Sequence, residues 1–318
     1  MLYNIKKAFA THQIREGVHT IYFEEYGKIG GIPAIFLHGG PGSGCNDSQK
    51  AIFDPDKFRV IFLDQRGSGK SSPRGSTQKN TTELLIKDIE KIRKYLKIEN
   101  WLVVGGSWGS TLAVAYAQKH RKSVNAMILR SLFLGTKNEV EWAFCKAPLI
   151  FRPHLIFTIN AILKQKKTTN PIYTLGKMLE SNNLIEKEKA AKLWLSFESS
   201  LSSIKYSNAD INKLIKEDYI DKEIKKLPNT PFMEWHYIKN YFFLEENQLH
   251  NNKEYLEKIT IDIVQGDYDL LCPPSTSYSF SKGLNKCNIH RVENAGHYVS
   301  DPGIKEKMKY LLDNYEEI

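Results

Sequence analysis

A parallel β-sheet with crossover helices, interrupted by a long helical insertion, is the fold class this sequence predicts. Two observations predict it. Short apolar runs bounded by glycine or charge alternate with amphipathic stretches over residues 19–131 and resume from residue 259. Between about 135 and 240 strand signals give way to longer patterns rich in Lys, Glu and aromatics.

Taken in order, HTIYFEEYG (19–27), IPAIFLHGG (32–40), FRVIFLD (58–64), WLVVGG (101–106) and NAMILRS (125–131) read as strands. NTTELLIKDIEKIRKYLK reads as a helix, with Asn80 and Glu83 in capping-box spacing and Leu85, Ile89, Ile92 and Leu96 on one face. TLAVAYAQKH follows as a second helix. Strand logic returns at 259–267 and 288–297, before a closing helix near KEKMKYLLDNY. The expected division is a core of residues 1–134 and 241–318 around a mainly helical cap at 135–240.

Composition narrows the function. With 318 residues the chain can bury a large core. The net charge of +9, from 45 basic and 36 acidic residues, is scattered through KIRKYLK, KQKK and KEIKK rather than gathered. That pattern is a solvated surface, not a nucleic-acid footprint. Cys45, Cys145, Cys272 and Cys287 are widely spaced with no CxxC pair, which argues against a zinc knuckle or disulfide framework and fits a reducing compartment. PLIFRPHLIFTINAIL is broken by Arg152 and His154, so no bilayer span is expected. With no secretory leader visible, the expected location is the cytoplasm.

The chemistry centres on VVGGSWGST. Gly105-Gly106-Ser107-Trp108-Gly109 matches the G-x-S-x-G elbow and lies between a buried strand and a helix, where that motif must lie. A serine hydroxyl needs a base, and the base an orienting carboxylate. QGDYD places Asp267 and Asp269 after one strand, and ENAGHY places His297 after the next. Asp269 is chosen because Asp267 follows Gly266 directly and reads as a turn residue. His38-Gly39-Gly40-Pro41-Gly42 supplies a glycine-lined loop, so the amides of Gly40 and Trp108 are the expected oxyanion donors. His38 is expected to brace that loop.

With HGGPGSGCND, DQRGSGKSSP, GGSWGSTLAVAYAQKH, VQGDYDLLCP and AGHYVSDPGI in this order, the chain resembles the proline iminopeptidases of the α/β-hydrolase superfamily. The resemblance implies an α/β-hydrolase fold and a serine aminopeptidase that takes small peptides with a free N-terminal residue, preferably proline, without metal or organic cofactor. It supports Asp269 as the orienting carboxylate and gives Arg66, in the DQRGSGKS turn, a paired structural role. It also implies that two cap glutamates hold the substrate's amino group: Glu198 in WLSFESSL and Glu234 in FMEWHYIKNYFF. Phe133 is the implied wall of the side-chain pocket. Two positions depart from the family: Ala143 and Ile238 stand where aromatics are expected, with Phe144 available one position on.

Cys272 has two open readings, a buried small apolar residue or a neighbour of the triad. Open as well are an esterase or broader aminopeptidase with the same triad, and a binding protein on an inactive hydrolase scaffold.

Overall fold

The computed structural model describes residues 1–163, 170–204 and 229–316. The lysine-rich stretches at 164–167 and 222–226 lie outside the described residues.

Eight strands among the described residues form one sheet: β1 Ala10–Glu16, β2 His19–Gly27, β3 Ile32–Leu37, β4 Phe58–Asp64, β5 Trp101–Ser107, β6 Val124–Leu132, β7 Thr260–Gly266 and β8 Cys287–Val292. Their order is β1-β2-β4-β3-β5-β6-β7-β8. β1 and β2 run antiparallel to their neighbours, and every pairing from β4 onward is parallel.

The central strands are buried on both faces, as their uninterrupted apolar sequences require. Ile35, Leu37, Ile61, Leu63 and Val103 face the helices Thr82–Tyr95 and Trp108–Lys119. Phe36, Phe62, Val104 and Ile128 face the closing helix Ile304–Asp313. Helices dominate the described part of 135–240, and β7 and β8 then complete the sheet.

Three expectations are corrected. β1 carries no apolar run: ATHQIRE alternates between exposed and half-buried residues, and its ladder to β2 makes it a strand. The predicted strands at 32–40 and 288–297 end at Leu37 and Val292, so the glycine loop and His297 lie beyond them. Asn80 does not cap the first crossover helix. Thr81 does, its side chain accepting from the Leu84 amide, while buried Asn80 donates to the carbonyls of Arg66 and Ser76 and accepts from the Tyr237 hydroxyl. A polar side chain this deeply buried serves the tertiary contacts that need it before a helix end that Thr81 can satisfy.

Arg66 takes its expected structural role. Its guanidinium forms a two-pronged bond with Asp88, at 2.6 and 2.7 Å, and both side chains are 4% exposed. Asp88→Ala would leave the guanidinium buried and unpaired, so the variant is expected to lose about 3–5 kcal/mol of unfolding free energy. Urea titration of both proteins checks this. The turn also anchors the cap. Asn229, just before the helix Thr230–Lys239, donates to the carbonyls of Gly42 and Gly67. That helix is thereby fixed over the glycine loop.

Candidate active site

The sheet gathers the predicted residues along one edge. Ser107 closes β5, Phe133 follows β6, Asp269 follows β7 and His297 follows β8, all at the carboxyl ends of parallel strands. In open α/β sheets this edge is where ligand sites form.

Ser107 has φ 56° and ψ −126°, a conformation that non-glycine residues rarely adopt. The turn needs its glycines, since a Cβ on Gly109 would lie 2.0 Å from the Leu37 carbonyl oxygen, and one on Gly105 would lie 2.5 Å from the Gly109 carbonyl oxygen. Trp108 is the first residue of the helix Trp108–Lys119, so its amide has no acceptor within that helix. Its indole nitrogen donates to Gln65 Oε1 at 2.8 Å, and Gln65 in turn donates from its side chain to the His38 carbonyl. The His38 ring accepts from the Gln65 amide, so His38 does brace the glycine loop.

His297 Nδ1 lies 2.9 and 3.1 Å from the two carboxylate oxygens of Asp269. Asp269 is buried and also accepts from the amides of Leu271 and Cys272. Burial alone would raise its pKa, but His297, the Cys272 amide and Ser131 together outweigh this and hold the carboxyl below its ordinary value. Asp267 instead pairs with Arg291 at the surface, which separates the two aspartates as expected.

Among the described residues, Ser107 and His297 make no hydrogen bond here. Ser107 and Cys272 both face the same cavity. Nucleophile and base commonly tighten their contact only around bound substrate. Both readings of Cys272 therefore hold: it is buried, and it adjoins the triad. Burial pushes its thiol well up, so it stays neutral.

Ser107 opens into a cavity whose wall includes Gly40, Phe133, Glu198, Glu234 and Cys272. The two glutamates come from different helices, Leu184–Ser202 and Thr230–Lys239. Trp194 Nε1 donates to Glu234 Oε2 at 2.5 Å, and the two carboxyls are near enough to act on each other electrostatically. Burial, with Glu198 alongside, pushes Glu234 well above the carboxylate range; burial raises Glu198 as well. The helix bearing Glu198 is tied to the His297 loop, because the His297 amide donates to the Ser202 carbonyl at 3.0 Å.

A raised native pKa means the folded site binds more protons than the unfolded chain. Stability is then lost as pH rises above the ordinary glutamate value of about 4.3. Glu234→Gln removes that burden, so its melting temperature should gain on the parent's steadily from pH 5 to pH 8. Calorimetry across that range checks the sign.

The side-chain pocket departs from the simple expectation. Trp142–Lys146 forms a π turn, and in this wider turn both Ala143 and Phe144 reach the cavity. Phe144 thus supplies the aromatic that Ala143 lacks, stacked on Phe197 at 5.9 Å between ring centres. Two residues went unnoticed in the sequence. Phe242, with φ 55°, fills the floor between Trp108 and Phe133, its ring centre 5.8 and 5.0 Å from theirs. Glu139 is a further carboxyl in the cavity wall, buried like Glu234. Thr136 and Glu139 form a capping box that the spacing alone could have disclosed.

A family model for the alpha/beta hydrolase fold matches residues 33–303. A proline iminopeptidase of Neisseria meningitidis is 35% identical over 317 residues, covering 98% of each chain. One from Arabidopsis thaliana is 35% identical over 304 residues, 93% of this chain and 78% of that protein. The chain belongs to the proline iminopeptidase family. The solved proline iminopeptidase of Mycobacterium smegmatis superposes with a TM-score of 0.61 at 17% identity, over 96% of this chain and 97% of that one. An alpha/beta fold family hydrolase from Bacillus anthracis gives 0.63 at 18% identity, over 97% and 100%. Those two likenesses speak for the fold alone. Ala143 and Ile238, where the resemblance implied aromatics, both line the cavity. Among the described residues no helix is long and apolar enough to cross a membrane.

Proposed function

We infer that this protein is a serine aminopeptidase that releases an N-terminal residue, preferably proline, from small peptides. The observation that carries the reading is the sharing of one cavity by Ser107, Glu198 and Glu234. A hydrolase that accepted blocked or uncharged substrates would gain nothing from two carboxyls in the wall of its pocket, where each is costly without a cation.

The substrate's amino group docks on Glu198 and Glu234, and its side chain packs against Phe133 and Phe144. Ser107 Oγ attacks the first carbonyl carbon while His297 takes the hydroxyl proton and Asp269 steadies the imidazolium. The amides of Gly40 and Trp108 hold the oxyanion. His297 then gives its proton to the departing amine, and water repeats the sequence on the acyl-enzyme. With the amino group held by the carboxyl pair, chain extends only on the leaving side and one residue is removed per cycle. In this reading residues 1–134 and 241–318 carry the catalytic machinery and the cap at 135–240 carries recognition, with the cytoplasm as the working compartment.

Glu234→Gln is expected to raise KM for free proline arylamide about 10- to 100-fold, as loss of a charge-assisted hydrogen bond of about 1.5–3 kcal/mol requires. Its kcat should change far less, since the amino group is held alike in ground and transition states. A kcat loss without a KM change would remove Glu234 from recognition.

A further inference from the structure

Trp194 and Glu198 stand four residues apart in the helix Leu184–Ser202, so both project from one side of it. Glu234 comes from the helix Thr230–Lys239, and the Trp194 indole N–H reaches it across the gap between the two helices at 2.5 Å. Trp194 is 0% exposed and Glu234 5%, so this bond is made away from water. Among the described residues no other N–H donates to the Glu234 carboxyl.

An indole N–H only donates, and it binds a charged carboxylate more strongly than a neutral acid. Burial and Glu198 both disfavour the anion at Glu234, and of the groups that act on this carboxyl the indole alone favours it. The ring is itself held. Its centre lies 6.2 Å from that of Phe144, which lines the cavity, and 6.5 Å from that of Trp235. Trp235 packs so closely on Gly176 that a Cβ there would lie 2.3 Å from its ring. Trp194 is not part of the cavity wall, so any effect on substrate must pass through its neighbours.

We propose that Trp194 is a positioning residue for substrate recognition: its N–H fixes one oxygen of Glu234, so that the carboxylate is set for the substrate's terminal amine before substrate arrives. The proposal rests on the amine-binding role given above to Glu234. The other titratable groups around Glu234 are Glu198 on the facing helix, Glu139 and Cys272 in the cavity wall, and His297, which acts on Glu198. Glu180, beyond Trp235, is paired with Lys239.

The experiment measures KM and kcat for proline arylamide from about pH 5 to pH 8 on the intact enzyme and two variants. One is Trp194→Phe. The other carries β-(3-benzothienyl)alanine at position 194, which keeps the bicyclic shape and lacks the donor. Both should raise KM about tenfold, with kcat changed far less. Their KM should also reach its plateau at higher pH than the parent's, because without the N–H the carboxylate forms later as pH rises. The substrate's own titration is common to all three. In a Glu234→Gln background the same two changes should add at most about twofold to KM, since the charged acceptor they act through is gone.

An unchanged KM in the benzothienyl variant would overturn the proposal. So would an equal rise in KM in the Glu234→Gln background, which would mark the ring as packing alone. The underlying assignment fails differently: the parent would then cleave N-acetylproline arylamide as well as the free imino compound.

Discussion

Ser107→Ala is expected to lower kcat by a factor of order 10⁶ while leaving the protein folded. Alanine removes only the hydroxyl. The backbone conformation at φ 56° is one that the surrounding glycines and the parallel pairings of β5 already impose on a non-glycine residue. Removing the nucleophile leaves His297 and Asp269 nothing to activate, so the loss should fall on kcat and on acyl-enzyme formation together. A fluorophosphonate probe should label the parent at Ser107 and leave the variant unlabelled. A variant that turned over normally would mean that the serine is a packing residue in a tight turn.

Asp269→Asn should lower kcat about 10⁴-fold. The two contacts from the carboxylate to His297 Nδ1, at 2.9 and 3.1 Å, fix the imidazole so that its other nitrogen is free to accept a proton. An asparagine that presents its NH₂ group to Nδ1 selects the opposite tautomer, and the base is lost with the geometry intact. Stability should follow a separate course. The Asp269 carboxyl is held below its ordinary value, so its contribution is fully present above about pH 4 and is lost as pH falls through the lower native value. The parent and Asp269→Asn should therefore converge in melting temperature at strongly acid pH. An alkaline convergence would contradict the assignment.

How far the sequence discloses these features depends on where each signal resides. The strands β3 to β7 were legible because buried parallel strands are written as apolar runs, β2 because buried and half-buried residues alternate along it, and the turn at Ser107 because its elbow needs glycines at fixed spacing. β1 was illegible, since an edge strand with one face in solvent and polar residues on both needs only a neighbour's ladder to form. Asn80 illustrates a local rule overridden: its capping spacing is sound, yet the side chain is claimed by Arg66, Ser76 and Tyr237 from elsewhere in the chain. Asp269 could be separated from Asp267 by a turn argument, and burial of one against surface pairing of the other gives the physical reason.

Glu198 and Glu234 mark the limit. Glutamates on helices are ordinarily solvated, and nothing in their spacing says that these two meet; only the family segment pointed to them. Their meeting depends on Asn229 holding one helix over the glycine loop and on Ser202 tying the other to the His297 loop. Phe144 was named as a substitute without a mechanism, and the π turn at Trp142–Lys146 supplies it. Phe242 had no signal, because a phenylalanine at positive φ is not something local sequence announces.

The central claim is that one cavity joins a serine nucleophile to a carboxyl pair that reads a free terminal amine. Hydrolysis of proline arylamide against its N-acetyl derivative tests this most directly. Efficient cleavage of the free compound with N-acetylproline arylamide slower by at least two orders of magnitude is the result the account predicts. Equal cleavage of the two would contradict it, leaving a serine hydrolase whose buried glutamates serve some other purpose.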